Sequence, residues 1–372
     1  MGADTDQPGR RPRIAVLGAG HGGLAMAGHL AIMGFETTIW NRSREKIDHI
    51  IDRKGIEVEG VVKGVGEVTC ATSDVKEAVK DVDVVMVVIP ASGHREIAER
   101  FAPYLKKDHL VILNPGRTFG AIEFMSVLKD KGKKQRPLVA ETQTFLYVSR
   151  RVETNKARIM QIKNSVPLAA IPAYRTPDAL ARIHDAFPQF VAATNVLETS
   201  LDNIGAIFHP TLTLLNAARI ESTHGDFEYY LEGVTPSTAA VLECADAERV
   251  ALGTALGVHC HTAREWLYLA YNSYGRTLYE AIQSTPGYKG VRAPSSLVHR
   301  YLFEDVPMSL VPMVSLGHLT GIKTPTMESM VHLASLIHAQ DYMSLGRTVE
   351  KIGLGGMSIK QIRMVALKGV HR

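Results

Sequence analysis

The sequence predicts an α/β protein in two parts: a doubly wound parallel sheet over residues 1–190 and a mostly α-helical domain over residues 191–372. Three observations lead there. Short β-branched runs alternate with helical stretches through the first half, and a glycine-rich turn joins the first run to the first helix. Past Phe190 the periodicity becomes helical, with explicit start signals. A length of 372 residues suits two domains at ~150 residues each.

Ile14–Leu17 reads as a strand, and Gly18-Ala19-Gly20-His21-Gly22-Gly23 turns it into a helix that runs to Met33. Thr37–Trp40 is the second strand and Arg44–Arg53 the second helix. Val82–Ile89 is a continuous Val/Ile run between Asp81 and Pro90, the pattern of a strand covered on both sheet faces. A helix over Gly93–Leu105 leads to a strand at His109–Leu113, then a helix over Thr118–Lys131 leads to a strand at Pro137–Glu141. Such alternation calls for right-handed crossovers in a parallel sheet. Ile159–Ile162 and Pro167–Ile171 read as further strands of the same sheet. In the second domain, Leu201–Glu221 is a helical segment interrupted by Pro210. Thr235-Pro236 opens a helix that Gly257 closes, and Thr262-x-x-Glu265 has capping-box spacing. Thr324-Pro325 opens a helix through His338, and Ser358 opens the last one.

Hydrophobic residues at 45% and charged residues at 22% exclude disorder as the main state. The net charge of +4 is spread along the chain. Only Arg10–Arg13 and Lys129–Arg136 approach a basic block, and the second reads as a solvated helix end, so no nucleic-acid partner is expected. Cys70, Cys244 and Cys260 form no Cys-x-x-Cys pair, which points to a reducing, cytoplasmic setting. Met1–Arg13 lacks the apolar core of a signal peptide, and Val82–Ile89 is too short to span a bilayer, so no membrane association is expected.

Gly18-x-Gly20-x-x-Gly23 directly follows a strand and directly opens a helix, the Rossmann-type dinucleotide placement. Gly18 makes the tight turn, Gly20 bares the backbone to a pyrophosphate, and Gly23 lets helix and strand approach. The N–H groups around His21, Gly22 and Gly23 then face the phosphates. At the end of the second strand, Trp40-Asn41-Arg42-Ser43-Arg44 offers no carboxylate for a ribose diol. Asn41 and Ser43 can bond hydroxyls, and Arg42 with Arg44 can pair a 2′-phosphate, which favours NADP(H), with NAD(H) as the alternative. Pro90, directly after the Val82–Ile89 strand, and Asn114, in the Asn114-Pro115-Gly116-Arg117 turn, lie at the carboxyl edge, where the nicotinamide side is expected.

Several second-domain motifs carry a resemblance. They are Phe208-His209-Pro210-Thr211 with Leu214-Leu215-Asn216-Ala217, Tyr229 through Ser237, Asp246-x-Glu248-Arg249, and Arg300 through Pro307. With Glu141-Thr142, Tyr147 and Arg150, they make the chain resemble the octopine/nopaline (opine) dehydrogenase family over nearly its whole length. The resemblance implies an NAD(P)H-dependent reductive condensation, in which an amino acid's amine meets an α-keto acid, with pyruvate expected, and the imine is reduced between the two domains. It also implies His209 and Asp305 as the catalytic dyad and Arg300 as the clamp on the keto-acid carboxylate; Arg150 or Arg151 is expected to assist, and Tyr147 is a further substrate-binding candidate.

The chemistry supports those residue types. Imine formation expels water and needs a proton donor, while the reverse reaction needs a base, and histidine serves both near neutral pH. A carboxylate on its far nitrogen fixes the tautomer. Arginine's planar fork matches the substrate carboxylates. His259-Cys260-His261 lacks further ligands at metal spacing, so no metal is expected. Tyr229, Tyr230, Trp266, Tyr268, Tyr271 and Tyr274 read as core packing before they read as a side-chain pocket. A 2-hydroxy-acid or polyol-phosphate dehydrogenase is the alternative enzyme, disfavoured because Leu201–Glu221 contains no lysine. A non-catalytic NADP(H) sensor is the alternative outside enzymes. Exposed apolar faces on the helical domain would suit a homodimer.

Overall fold

In the computed structural model, which describes residues 10–53 and 55–369, twelve strands lie between Ile14 and Ala192. They are β1 (Ile14–Leu17), β2 (Thr37–Trp40), β3 (Gly55–Gly60), β4 (Gly64–Glu67), β5 (Cys70–Thr72) and β6 (Val84–Val87). The rest are β7 (Leu110–Leu113), β8 (Leu138–Thr142), β9 (Tyr147–Glu153), β10 (Lys156–Ile162), β11 (Val166–Ile171) and β12 (Phe190–Ala192).

Eight of them form one sheet in the order β12-β11-β8-β7-β6-β1-β2-β5. From β8 to β5 every pairing is parallel, and β11 then adds antiparallel to β8. The order reverses between β1 and β6, the switch point at which such sheets bind ligands. All residues of β1, β6 and β7 are buried, in keeping with their unbroken Val/Ile/Leu/Met/Ala sequences.

The remaining four strands form a second sheet, β4-β3-β10-β9. Here the sequence expectation needs correction: Ile159–Ile162 belongs to β10 and this second sheet, while Pro167–Ile171 alone extends the main one. The helix α1 (His21–Ile32) packs against both sheets. Gly28 and Gly66 make that approach possible, since a Cβ on Gly66 would sit 2.4 Å from the Gly28 carbonyl oxygen.

Two compact units result. The first comprises the residues up to Gly116 together with Phe124–Val196, and the second comprises Arg117–Glu123 together with the residues from Leu197 onward. The boundary therefore lies beyond residue 190, because β12 completes the main sheet. The expected helix Thr118–Lys131 is Gly120–Asp130, and its first turn belongs to the second unit.

The second unit is helical. Leu201–Glu221 divides into the end of Val196–Leu201, then Gly205–Leu215 and Ala217–Thr223, with Pro210 inside the middle helix. Pro236–Ala255 starts at Thr235, whose hydroxyl accepts from the Thr238 N–H, and capping boxes open Ala263–Tyr271 and Ile359–Lys368. Pro325–His338 begins where Thr324-Pro325 indicates, but its cap is distant in sequence. The N–H groups of Thr326 and Met327 donate to the Glu248 carboxylate at 2.7 and 3.0 Å.

Candidate active site

In the first unit, the glycine loop has the geometry a dinucleotide requires. Gly18 lies at φ +118°, and a Cβ there would strike the Val88 carbonyl oxygen at 2.4 Å. A Cβ on Gly23 would lie 1.8 Å from the Gly18 oxygen, whereas one on Gly20 would meet nothing within 4 Å. The loop is thus packed on its inner side and open at Gly20, and the N-terminus of α1 presents N–H groups that have no intrahelical partner. These residues fit a pyrophosphate.

The flanking candidates divide between ligand-facing and bracing positions. Asn41 braces the loop: its Oδ1 accepts from the Ala19 N–H at 3.1 Å and its Nδ2 donates to the Ser43 carbonyl at 2.9 Å. Its side chain is engaged in the fold rather than left open to a ribose. Arg42 is 63% exposed and paired with Glu96 at 2.9 Å, and Arg44 pairs with Asp48 at 3.2 Å. His21 opens α1, and its Nδ1 accepts from the Arg151 N–H at 2.9 Å. Gly22 packs on Phe145, where a Cβ would come within 2.7 Å. Pro90 is exposed just before the turn Ala91–Gly93. Asn114 is buried, with its amide donating to the Ile112 carbonyl at 2.9 Å and its Oδ1 lacking a hydrogen-bond partner among the described groups.

The second unit brings His209, Asp305 and Arg300 into one cluster. His209 lies in the helix Gly205–Leu215, and its Nδ1 is 2.8 Å from Asp305 Oδ2. Asp305 is fully buried, while the His209 side chain is 21% exposed. Asp305 precedes a single π-helical turn, Val306–Leu310, that contains Pro307, a distortion common at functional sites. The other Asp305 oxygen, Oδ1, lies 3.0 Å from a terminal nitrogen of Arg117. Arg117 also approaches Glu304 at 3.7 Å, and Glu304 in turn meets Arg300 Nε at 3.1 Å. Burial pushes the Asp305 carboxyl up, but Arg117, His209 and Arg300 outweigh it and hold the group below its ordinary range. Arg300 is half exposed.

The His209 ring stacks on Tyr301, with centroids 4.1 Å apart and planes 16° apart. Tyr301 stacks in turn on Tyr229, whose hydroxyl donates to the His209 carbonyl at 2.9 Å. The imidazole is therefore fixed through its ring face, its Nδ1 and its own backbone. With Nδ1–H donated to Asp305, Nε2 is left to exchange a proton.

Tyr147 needs correction. Its ring is buried in the first unit's core against Phe145 and Phe187, and its hydroxyl bonds His29 Nδ1 at 2.9 Å. Burial raises its phenol well above the ordinary value, so it is a packing residue rather than a substrate ligand. Arg150 stands exposed on β9, the edge strand of the second sheet. Tyr229 and Tyr230 are core residues, while Tyr268 and Tyr274 are exposed.

A second His–Asp pair occurs in the same unit: His261 Nδ1 is 2.9 Å from Asp202 Oδ2. Its surroundings are structural. The His261 N–H also donates to Asp202, and the fully buried Arg249 ties Asp246, the Leu201 carbonyl and the His261 carbonyl together. Asp246 caps Ala263 at 2.7 Å, so the Asp-x-Glu-Arg motif serves helix docking. Among the described residues, no group of three or more His, Cys, Asp or Glu side chains gathers to hold a metal. No helix among them is long and apolar enough to cross a membrane.

Sequence reading missed Arg117, Glu304 and Tyr301 as parts of the cluster. Arg117 was placed in a ligand-lining turn, and nothing local signals that its side chain turns to the second unit.

Comparison with known proteins now fixes the class. Residues 13–139 match the model of the NAD-dependent glycerol-3-phosphate dehydrogenase N-terminus, and residues 192–338 match that of the NAD/NADP octopine/nopaline dehydrogenase α-helical domain. This is a two-domain, NAD(P)-dependent oxidoreductase. An opine dehydrogenase of Arthrobacter sp. (strain 1C) is 40% identical over 350 residues, covering 94% of this chain and 97% of that one. The chain belongs to the opine dehydrogenase family, whose members act on CH–NH groups with NAD or NADP as acceptor. Its fold is similar to that of octopine dehydrogenase with NADH and L-arginine, at TM-score 0.80, 19% identity and coverage of 97% and 99%. NADP+-bound yersinopine dehydrogenase is similar at TM-score 0.69, 16% identity and coverage of 92% and 93%.

Proposed function

We propose that this enzyme joins an amino acid to an α-keto acid, pyruvate being the expected one, and reduces the imine to a secondary-amine dicarboxylate. The observation that carries the reading is the oriented imidazole: His209 Nδ1 at 2.8 Å from a fully buried carboxylate, beside a half-exposed arginine. Titles of related structures name L-arginine, agmatine and pyruvate as octopine dehydrogenase ligands, which supports the substrate classes.

His209 Nε2 takes a proton from the substrate ammonium, freeing its lone pair to attack the keto carbon. The same nitrogen returns that proton to the carbinolamine hydroxyl, which leaves as water. Asp305 keeps Nδ1 protonated and stabilises the imidazolium while it carries the proton. Arg300 grips the keto-acid carboxylate through its guanidinium fork. The bound reduced nicotinamide supplies the hydride. The amine product then takes a proton from solvent.

The reading also favours NADPH over NADH. Arg42 and Arg44 are exposed just after β2, where residues 40–44 include no carboxylate, and a 2′-phosphate would compete with Glu96 for Arg42. A homodimer belongs to the same reading, supported by exposed Leu333, Leu336 and Ile337 on one helix face, and sedimentation tests it. The main test is coenzyme oxidation with pyruvate across a panel of amino acids, run with NADPH and NADH, with products identified by mass. His209→Ala is expected to abolish turnover. Full condensation activity in that variant would refute the mechanism.

A further inference from the structure

We infer that Arg117 is a positioning residue for the Asp305–His209 pair, making the proton-transfer device a chain of three groups. This rests on the proton-transfer reading of His209 given above.

The Asp305 carboxylate meets a partner at each oxygen, a hydrogen bond at Oδ2 and an ion pair without hydrogen-bond geometry at Oδ1. Oδ2 faces His209 Nδ1 at 2.8 Å and Oδ1 faces Arg117 at 3.0 Å, with the Arg117 side chain only 8% exposed. The buried cation beside Oδ1 favours the orientation that leaves Oδ2 to the imidazole, and so the direction in which the ring is held.

The backbone that delivers Arg117 is unusual. Arg117 lies at φ +57° and Phe119 at φ +64°, two residues with side chains in the left-handed region within three positions. An ordinary strand-to-helix turn needs neither. The segment is pinned by the second unit instead. The Phe119 N–H donates to Ser200 Oγ at 2.9 Å, and the buried Arg347 donates to the Thr118 carbonyl and to Glu123 Oε2, each at 2.8 Å. Strain held in place by this many contacts brings one guanidinium onto the Glu304–Asp305 pair.

Charge gives the arrangement its second effect. The groups facing Asp305 and His209 are Arg117, Arg300, Glu304, Tyr301 and Tyr229. Arg300 is half exposed and available to a substrate, so Arg117 is the buried cation that offsets the Asp305 charge. That offset weakens the carboxylate's pull on an imidazole proton, and a proton carrier must be able to let go.

The test uses the full chain with Arg117→Met and Arg117→Lys. The pH profile of kcat is measured for amine oxidation. With Met, the acid limb of the kcat profile should move to higher pH, because the cation that offsets the Asp305 charge is gone. The keto-acid KM measured in the forward direction should change less than about twofold while kcat falls ~10-fold. With Lys, the acid limb should stay near that of the parent and kcat should recover in part, because the charge is kept. If the Met variant does not fold, Arg117→Gln carries the same expectation. An unmoved acid limb in a folded, charge-free variant would overturn the inference, as would a uniform loss of rate without a change in the profile. If His209→Ala proves fully active, it is the proton-transfer reading itself that fails.

Discussion

Replacing Asp305 with asparagine tests the site at one atom. The native carboxylate accepts from His209 at 2.8 Å and faces the Arg117 guanidinium at 3.0 Å, both of which are donors. Asparagine has only one acceptor oxygen. Arg117 is permanently charged and therefore claims it, which turns the amide NH2 toward His209 Nδ1. That nitrogen must then accept, so the neutral ring carries its hydrogen on Nε2 and cannot take a proton there. The expected loss in kcat is ~10³–10⁴-fold, or ~4–5.5 kcal/mol at 1.36 kcal/mol per decade. Coenzyme affinity should be unchanged, because the glycine loop lies in the other unit. The assay is initial-rate coenzyme oxidation at saturating substrates, with folding checked by circular dichroism. A folded variant retaining more than about a tenth of the parent kcat would refute the tautomer argument.

Gly23→Ala places a Cβ 1.8 Å from the Gly18 oxygen, so coenzyme affinity measured by fluorescence titration should fall at least ~100-fold, about 2.7 kcal/mol. Arg249→Met leaves the Asp246 and Asp202 carboxylates without their buried cation, and urea unfolding should register a loss of ~3–5 kcal/mol. A loss below ~1 kcal/mol would mean that water already solvates that network. Tyr147→Phe removes only the bond to His29, so stability should drop by ~1 kcal/mol while substrate KM stays constant. A raised KM would restore Tyr147 as a ligand. Acid titration should weaken the second unit: the Asp305 carboxyl lies below its ordinary value, so its contribution is present above about pH 4 and is lost as pH falls through the folded pKa. Asp305→Asn should remove that part of the acid dependence.

What was legible in the sequence follows from locality. The strand, glycine turn and helix of Ile14–Met33 are set by neighbouring residues, and the capped starts at Thr235, Thr262 and Ser358 are written within four positions. The second sheet was not legible, because β3 and β4 are short, rich in Gly and Glu, and held in place by α1 and β10. His209, Asp305 and Arg300 stood out through family resemblance, since composition and spacing alone do not separate them from ordinary residues. The structure assembles them from helices almost a hundred residues apart. Tyr147 carried the same resemblance, yet its ring is buried in the core of the first unit. Arg117 was hidden for the opposite reason. Its sequence neighbours belong to a Rossmann strand edge, while its partners, Glu304 and Asp305, lie nearly two hundred residues away.

Because Arg117–Glu123 is counted with the later helices although Phe124–Val196 returns to the sheet, the polypeptide passes from one unit to the other three times. Neither half is a cassette. A fragment starting at Leu197 would strip Arg347 of its Glu123 carboxylate and Asp305 of its guanidinium, so the helical portion expressed alone would carry orphaned buried charges. Swapping coenzyme preference or substrate range by exchanging contiguous domains would sever the same thread, so a workable chimera has to carry those seven residues with the helices they serve.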